Sequence, residues 1–220
     1  NVTTQSIVPA PTTLNFVPNT TSNSVDNDIN ISFTDDSAWR TAVTAVKIGA
    51  VTLTPGTDYS LTAGNLLLKP SGRNAALTVP GTKKVNILAN GYSSSLTGVT
   101  QTITVGAASS ASSVVAISAA LAQNSTKTIT CTAKDQFGNN VAGYAFKYLA
   151  TITNNGANTT ESYTIDGTAQ STTASNTITA VTNASGVATF TVTLPAEIDS
   201  NDGISIQVKL NDGTNLGNPF

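Results

Sequence analysis

Short runs rich in Val, Ile, Thr, Leu and Tyr recur along this chain between clusters of Gly, Asn, Asp and Pro, and many of them alternate apolar with small polar residues. A period of two residues belongs to a strand with one buried face, so the pattern constrains the fold to all-β. The expected strands are 29–33, 45–48, 60–61, 66–68, 84–88, 101–105, 114–119, 126–133, 144–153, 178–182, 187–194 and 204–210. Turn chemistry separates them, as at Pro55-Gly56, Asn90-Gly91, Gly138-Asn139-Asn140 and Asn183-Ala184-Ser185-Gly186. One short helix is expected. Asp35, Asp36 and Ser37 offer acceptors for unpaired backbone N–H groups ahead of 38–43, with Trp39 on the inner face.

Composition narrows the chemistry. The 220 residues include no His and one Cys, which removes the usual catalytic triads, most zinc, copper and haem-iron sites, and any internal disulfide. A net charge of -2 from ten basic and twelve acidic residues gives no basic footprint for nucleic acid. The longest apolar run, 114–121, is interrupted by Ser118 and is too short to insert in a membrane. Beginning at Asn1 without a leader, the sequence reads as a piece of a longer secreted protein. Hydrophobic residues at 39% suffice for a core despite the scarcity of charge.

The segment 106–113 has no large side chain to bury and reads as a connector. The expected organisation is a linker or tail of a preceding domain at 1–9, a β domain at 10–106, a linker at 107–113 and a β domain at 114–220. Residues 2–8 echo 99–105, which points to a tandem array in the parent chain.

In the second half, Thr130-Cys131-Thr132-Ala133-Lys134-Asp135-Gln136-Phe137-Gly138-Asn139-Asn140 is followed by alternating Tyr144, Phe146 and Tyr148, then by Thr182-Asn183-Ala184-Ser185-Gly186-Val187-Ala188-Thr189-Phe190. This order resembles the bacterial immunoglobulin-like domain of the invasin and intimin type, which implies a β-sandwich. The residues also support a hairpin directly, with Asp135 and Asn139 able to bond the turn backbone. The polar stretch 154–177 departs from the pattern by being longer and richer in Thr and Asn.

The first half resembles a different module. Asn27-Asp28-Ile29-Asn30-Ile31-Ser32-Phe33-Thr34-Asp35-Asp36-Ser37-Ala38-Trp39 is followed by Val46-Lys47-Ile48-Gly49, Leu53-Thr54-Pro55-Gly56-Thr57-Asp58-Tyr59 and Ala89-Asn90-Gly91-Tyr92. These motifs are similar to the haemoglobin-interacting domain of streptococcal haem-acquisition proteins, which also occurs as a spacer-like unit in Gram-positive surface and S-layer proteins. Together the two resemblances imply two tandem Ig-like β-sandwich domains, the first with a short helix.

Candidate sites weigh against structural roles. Tyr144 and Tyr148 have the spacing of a haem-holding tyrosine pair, but on a strand they share the inward face with Phe146, so core packing is expected and no haem. Calcium suits the oxygen ligands available, and the candidate clusters are Asp26 with Asp28, Asp35 with Asp36, and Asp199 with Asp202. The segment 199–203 half resembles a calcium loop but lacks its alternating acids and closing Glu. Cys131 has no His to act as its base, so it is expected to be a small buried hydrophobe. Lys69, Arg73, Lys83 and Lys84 form a weak candidate patch for anionic cell-wall polymer.

The reading is a non-enzymatic, structural module of a secreted S-layer protein that self-assembles into a lattice on a bacterial cell wall. Its alternative is an adhesin stalk or a host-protein module binding haemoglobin. Expected partners are other copies of the parent surface protein, cell-wall polymer or host protein, with no nucleic acid and no membrane insertion.

Overall fold

The computed structural model describes residues 8–93, 98–154 and 161–220. The chain divides into two compact units, 1–106 and 107–220.

The first unit runs β1 (Ile29–Ser32), α1 (Ser37–Ala42), β2 (Val43–Ile48), β3 (Val51–Thr52), β4 (Tyr59–Thr62), β5 (Asn65–Leu68), a 3-10 turn at Pro70–Gly72, α2 (Ala75–Thr78), β6 (Gly81–Ala89) and β7 (Gly98–Ile103). The order in one sheet is β1-β5-β4 and in the other β3-β2-β6-β7, all antiparallel. Alternation decides which faces are buried: Ile29, Ile31, Leu66 and Leu68 line one sheet, while Val46, Val85, Ile87 and Ile103 line the other.

Helix α1 begins as the sequence predicts. The Asp36 side chain accepts from the Trp39 backbone N–H at 2.9 Å, and Trp39 is fully buried with its ring 5.9 Å from both Phe16 and Phe33. Truncating such a ring costs about 3–5 kcal/mol. Helix α2 is an addition to the sequence reading, and Asn74 caps it by accepting from the Ala76 backbone N–H. Buried Gln101 fastens the leading segment by accepting from the Asn19 backbone N–H at 2.8 Å and donating to its carbonyl at 2.7 Å. Residues 1–7, on which the repeat and most of the 1–9 reading fall, lie outside the described residues. Val8 pairs within the first unit, donating to the Gly91 carbonyl and accepting from the Ser93 N–H.

The second unit runs β8 (Val114–Ile117), β9 (Thr126–Thr132), β10 (Lys147–Thr153), β11 (Tyr163–Ile165), β12 (Thr168–Gln170), β13 (Ala174–Thr177), β14 (Val187–Thr193) and β15 (Gly203–Lys209). It is a sandwich of a five-stranded sheet, β12-β11-β14-β9-β8, and a three-stranded sheet, β13-β10-β15. Tyr148 on β10 stacks on Phe190 of β14 at 5.7 Å, joining the two inner faces. Both units are therefore all-β, with the short helix where the sequence placed it.

Further details differ from the sequence reading, and β10 begins at Lys147, so Tyr144 and Phe146 of the strand expected at 144–153 lie ahead of it. The stretch 107–113 belongs to the second unit and is tied to it: Ser109 donates from its N–H to the Lys134 carbonyl, and buried Ser113 exchanges bonds with the Lys134 backbone. The strand expected at 178–182 is irregular chain, held beside 144–146 by bonds from the Ile178 and Thr182 N–H groups, and the ladder forms one step earlier as β13. The polar stretch contains β11 and β12, joined by Asp166 and Gly167 at φ 50 and 75. Two consecutive positive φ values make the turn whose twist matches a two-residue hairpin, and Asp-Gly is the pair that tolerates it.

Candidate functional site

Most of the acids singled out in the sequence hold loops together. Asp35 is paired with Arg40, whose Nε donates to Oδ1 at 2.8 Å; this hydrogen bond holds the Asp35 carboxyl below its usual range and raises the guanidinium. Asp36 caps α1. Asp28 accepts from the Ser71 hydroxyl at 3.0 Å. Asp26 places its carboxylate where a Cβ on Gly106 would stand, 2.4 Å from Oδ1.

Two buried acids absent from the candidate set have the same kind of task. Asp58, 4% exposed, accepts from the Thr54 N–H and the Asn74 amide, both at 2.8 Å. Asp135, fully buried, accepts from the backbone N–H groups of Phe137 and Asn139 and from the Asn139 side chain. Each shapes a turn by supplying acceptors that backbone carbonyls do not. The backbone bonding foreseen for Asp135 is thus present, while the Asn139 side chain donates to the Asp135 carboxylate instead of the turn backbone.

The aromatic pair is structural. Phe146 and Tyr148 are buried, the Tyr148 hydroxyl accepts from the Gln170 amide at 2.7 Å, and the half-buried Tyr144 packs on Phe146 while its hydroxyl accepts from the Asn211 N–H. Cys131 is fully buried, and burial pushes its thiol up to about 12. Lys83 and Lys84 are adjacent on β6 and so point to opposite faces; burial lowers the Lys83 ammonium, and Lys69 donates to the Gly56 carbonyl.

Asp199 and Asp202 behave differently. The Asp202 N–H donates to the Asp199 carbonyl at 3.0 Å, closing a turn that sets both carboxylates on one side. Glu161, just ahead of β11, joins them: one oxygen from each of the three acids lies within 4.8 Å of the others. Full negative charges so close repel by a few kcal/mol per pair at an effective dielectric of about 20, an amount that solvent reduces for the half-buried Asp199 and Asp202. Glu161 is only 6% exposed. Beside the cluster stands Tyr163, whose phenol is raised first by burial and then by the charges of Asp202 and Glu161. Among the described residues this is the group of three acids brought within ligand distance of one another. The sequence reading found Asp199 and Asp202 but missed Glu161, because the strands between them fold it into place and no local spacing announces it.

Residues 16–104 match the family model described as heme-binding protein Shr-like, Hb-interacting domain. The Hb-interacting match spans β1 to β7 and agrees with the resemblance carried by the first-half motifs. No curated protein sequence matches the chain. Among solved structures, it is similar to FdeC, an Escherichia coli adhesin, at 19% identity and TM-score 0.45, covering 90% of this chain and 59% of that one. Invasin, a bacterial integrin-binding protein, gives 15% identity and TM-score 0.47, covering 91% of this chain and 37% of that one. Domains 4 and 5 of the S-layer protein SbsC give 14% identity and TM-score 0.31, covering 93% and 96%. The chain therefore spans 59% or less of the adhesin and invasin chains it resembles.

Proposed function

We propose that this chain is a structural module of a secreted bacterial surface protein and performs no chemistry of its own. Its parent self-assembles into an S-layer lattice on the cell wall. The observation that carries this reading is the use made of the side chains with chemical potential. Tyr148 and Cys131 fill the core, while Asp58 and Asp135 are committed to loop backbone. Scarce charge, at 10% of residues, lowers the repulsion between identical surfaces brought side by side. The described residues contain no helix long and apolar enough to cross a membrane. Other copies of the parent protein are its main partners, with cell-wall polymer a further one.

The match to an Hb-interacting domain favours a second reading, in which the first unit captures haemoglobin. An open groove lined by Pro11, Thr12, Leu14, Asn15, Phe16 and Val99 offers a surface of mixed polarity on that unit. Negative-stain microscopy of the parent protein, together with titration of the 220-residue chain with haemoglobin, separates the two. Regular sheets without haemoglobin binding support the lattice. Haemoglobin binding by a parent that forms no sheets overturns it in favour of the receptor.

A further inference from the structure

Glu161 is a buried carboxylate that has neither of the usual compensations. Both of its side-chain oxygens are shielded from solvent and accept no hydrogen bond from the described residues. A charge in that position is destabilising unless something positive stands against it. Instead, the nearest acidic groups are two more carboxylates, Asp199 and Asp202, within 4.8 Å. The surroundings repeat the signal. The fully buried Tyr163 leaves its hydroxyl without a partner among the described residues. Asn154 also has a buried Oδ1 with no partner among the described residues, while its amide donates to the Glu161 and Ser171 carbonyls.

Register explains why these groups meet. Thr153 of β10 pairs with Gly203 of β15, so the next pair outward along the ladder brings Asn154 opposite Asp202. The Asp199–Asp202 turn sits at that same end of the three-stranded sheet. Glu161 arrives from the start of β11, which belongs to the five-stranded sheet. The chain thus assembles at one edge of the sandwich the glutamate that the 199–203 loop lacks in sequence.

We propose that Glu161, Asp199 and Asp202 bind a divalent cation of the calcium class, with the Asn154 carbonyl oxygen as a neutral neighbour. An all-oxygen donor set without His or thiolate suits a hard cation. Carboxylates drawn from separate segments suit calcium, whose six to eight ligands tolerate irregular geometry, better than magnesium, which demands a near-ideal octahedron. Bound there, the ion neutralises Glu161 and clips the ends of β10 and β15 to the entry of β11. This inference does not depend on whether the parent forms a lattice.

The test compares thermal unfolding of the 220-residue chain in chelator, in calcium chloride and in magnesium chloride at several millimolar, the range typical of extracellular calcium modules. Terbium luminescence excited through tyrosine gives a second readout. Calcium raises the melting temperature of the wild-type chain by several degrees, as mass action requires of a ligand that binds only the folded state. Magnesium raises it less, and terbium emission appears and is displaced by calcium. Glu161→Gln and Asp202→Asn each abolish the calcium shift and reduce the emission at least tenfold, while Asp28→Asn leaves both at wild-type values. Tyr163→Phe keeps the calcium shift and loses most of the emission, so the reading stands on Asp202→Asn and Tyr163→Phe even if Glu161→Gln fails to fold. An unchanged melt of the wild-type chain overturns the proposal. So does a calcium shift that survives undiminished in Asp202→Asn, or an equal response to magnesium.

Discussion

Asp58 accepts a hydrogen bond from the Asn74 side-chain amide at 2.8 Å, so the loop after β3 and the cap of α2 are held by one carboxylate. The same oxygen, Oδ2, accepts from the Thr54 N–H. Asp58→Ala leaves both donors without their acceptor at a position 4% exposed and is expected to cost about 2–3 kcal/mol. Trp39 is the single tryptophan and is buried in the first unit, so urea unfolding followed by its fluorescence measures this loss directly. A variant with the wild-type midpoint would remove Asp58 from the set of structural acids.

The adjacent acids Asp35 and Asp36 separate by role. Asp36→Ala removes the cap of α1 and is expected to destabilise by about 1 kcal/mol. Asp35→Asn breaks an exposed ion pair with Arg40 and is expected to leave the midpoint unchanged at moderate salt. The same fluorescence melt, run on both variants, checks the order.

Gly186 has φ +74, and a Cβ there would stand 2.6 Å from the Ala133 carbonyl oxygen. Because Asn183 already bonds the N–H groups of Ser185 and Val187, the turn has little room to move. Gly186→Ala is expected to cost more than 2 kcal/mol through strain and collision together. Calorimetry of the variant, with Gly213→Ala at an open positive-φ position as the milder comparison, measures it.

Cys131 titrates in the folded chain at about 12, above the ordinary 9.0. The folded state therefore retains a proton that the unfolded state releases. Its contribution to stability is complete below about pH 9 and falls as pH rises toward about 12, by up to about 1.4 kcal/mol per pH unit. Cys131→Ala is expected to flatten the loss of stability between about pH 9 and 10 in denaturant titrations. At pH 8 the wild-type thiol should react with an aromatic disulfide reagent roughly a thousandfold more slowly than an unfolded thiol, and equal rates would contradict its burial.

What the sequence disclosed follows from how local each signal is. The strand around Cys131 was legible because alternation alone buries Ile129, Cys131 and Ala133 while Thr130 and Thr132 turn away. Likewise Asp36 and Trp39 lie three residues apart, within one helical turn. The 178–182 segment misled because Ile178 and Val181 suggest a strand, yet Val181 is 55% exposed and the backbone is held by isolated bonds. The β11–β12 hairpin was hidden by short strands, although Asp166-Gly167 carried its turn signal. Glu161 was beyond reach for another reason: its meeting with Asp199 and Asp202 depends on strand register, which single-residue patterns do not encode.

Turns closed at short range by the side chains of Asn19, Asn183 and the sequestered Asp135 leave dissolved ions little to weaken. Screening acts on exposed charges across open solvent, and only one residue in ten here carries a charge. Both units are consequently expected to keep nearly the same unfolding midpoint as monovalent salt is diluted or concentrated, so their form rests on bonds that counterions do not reach.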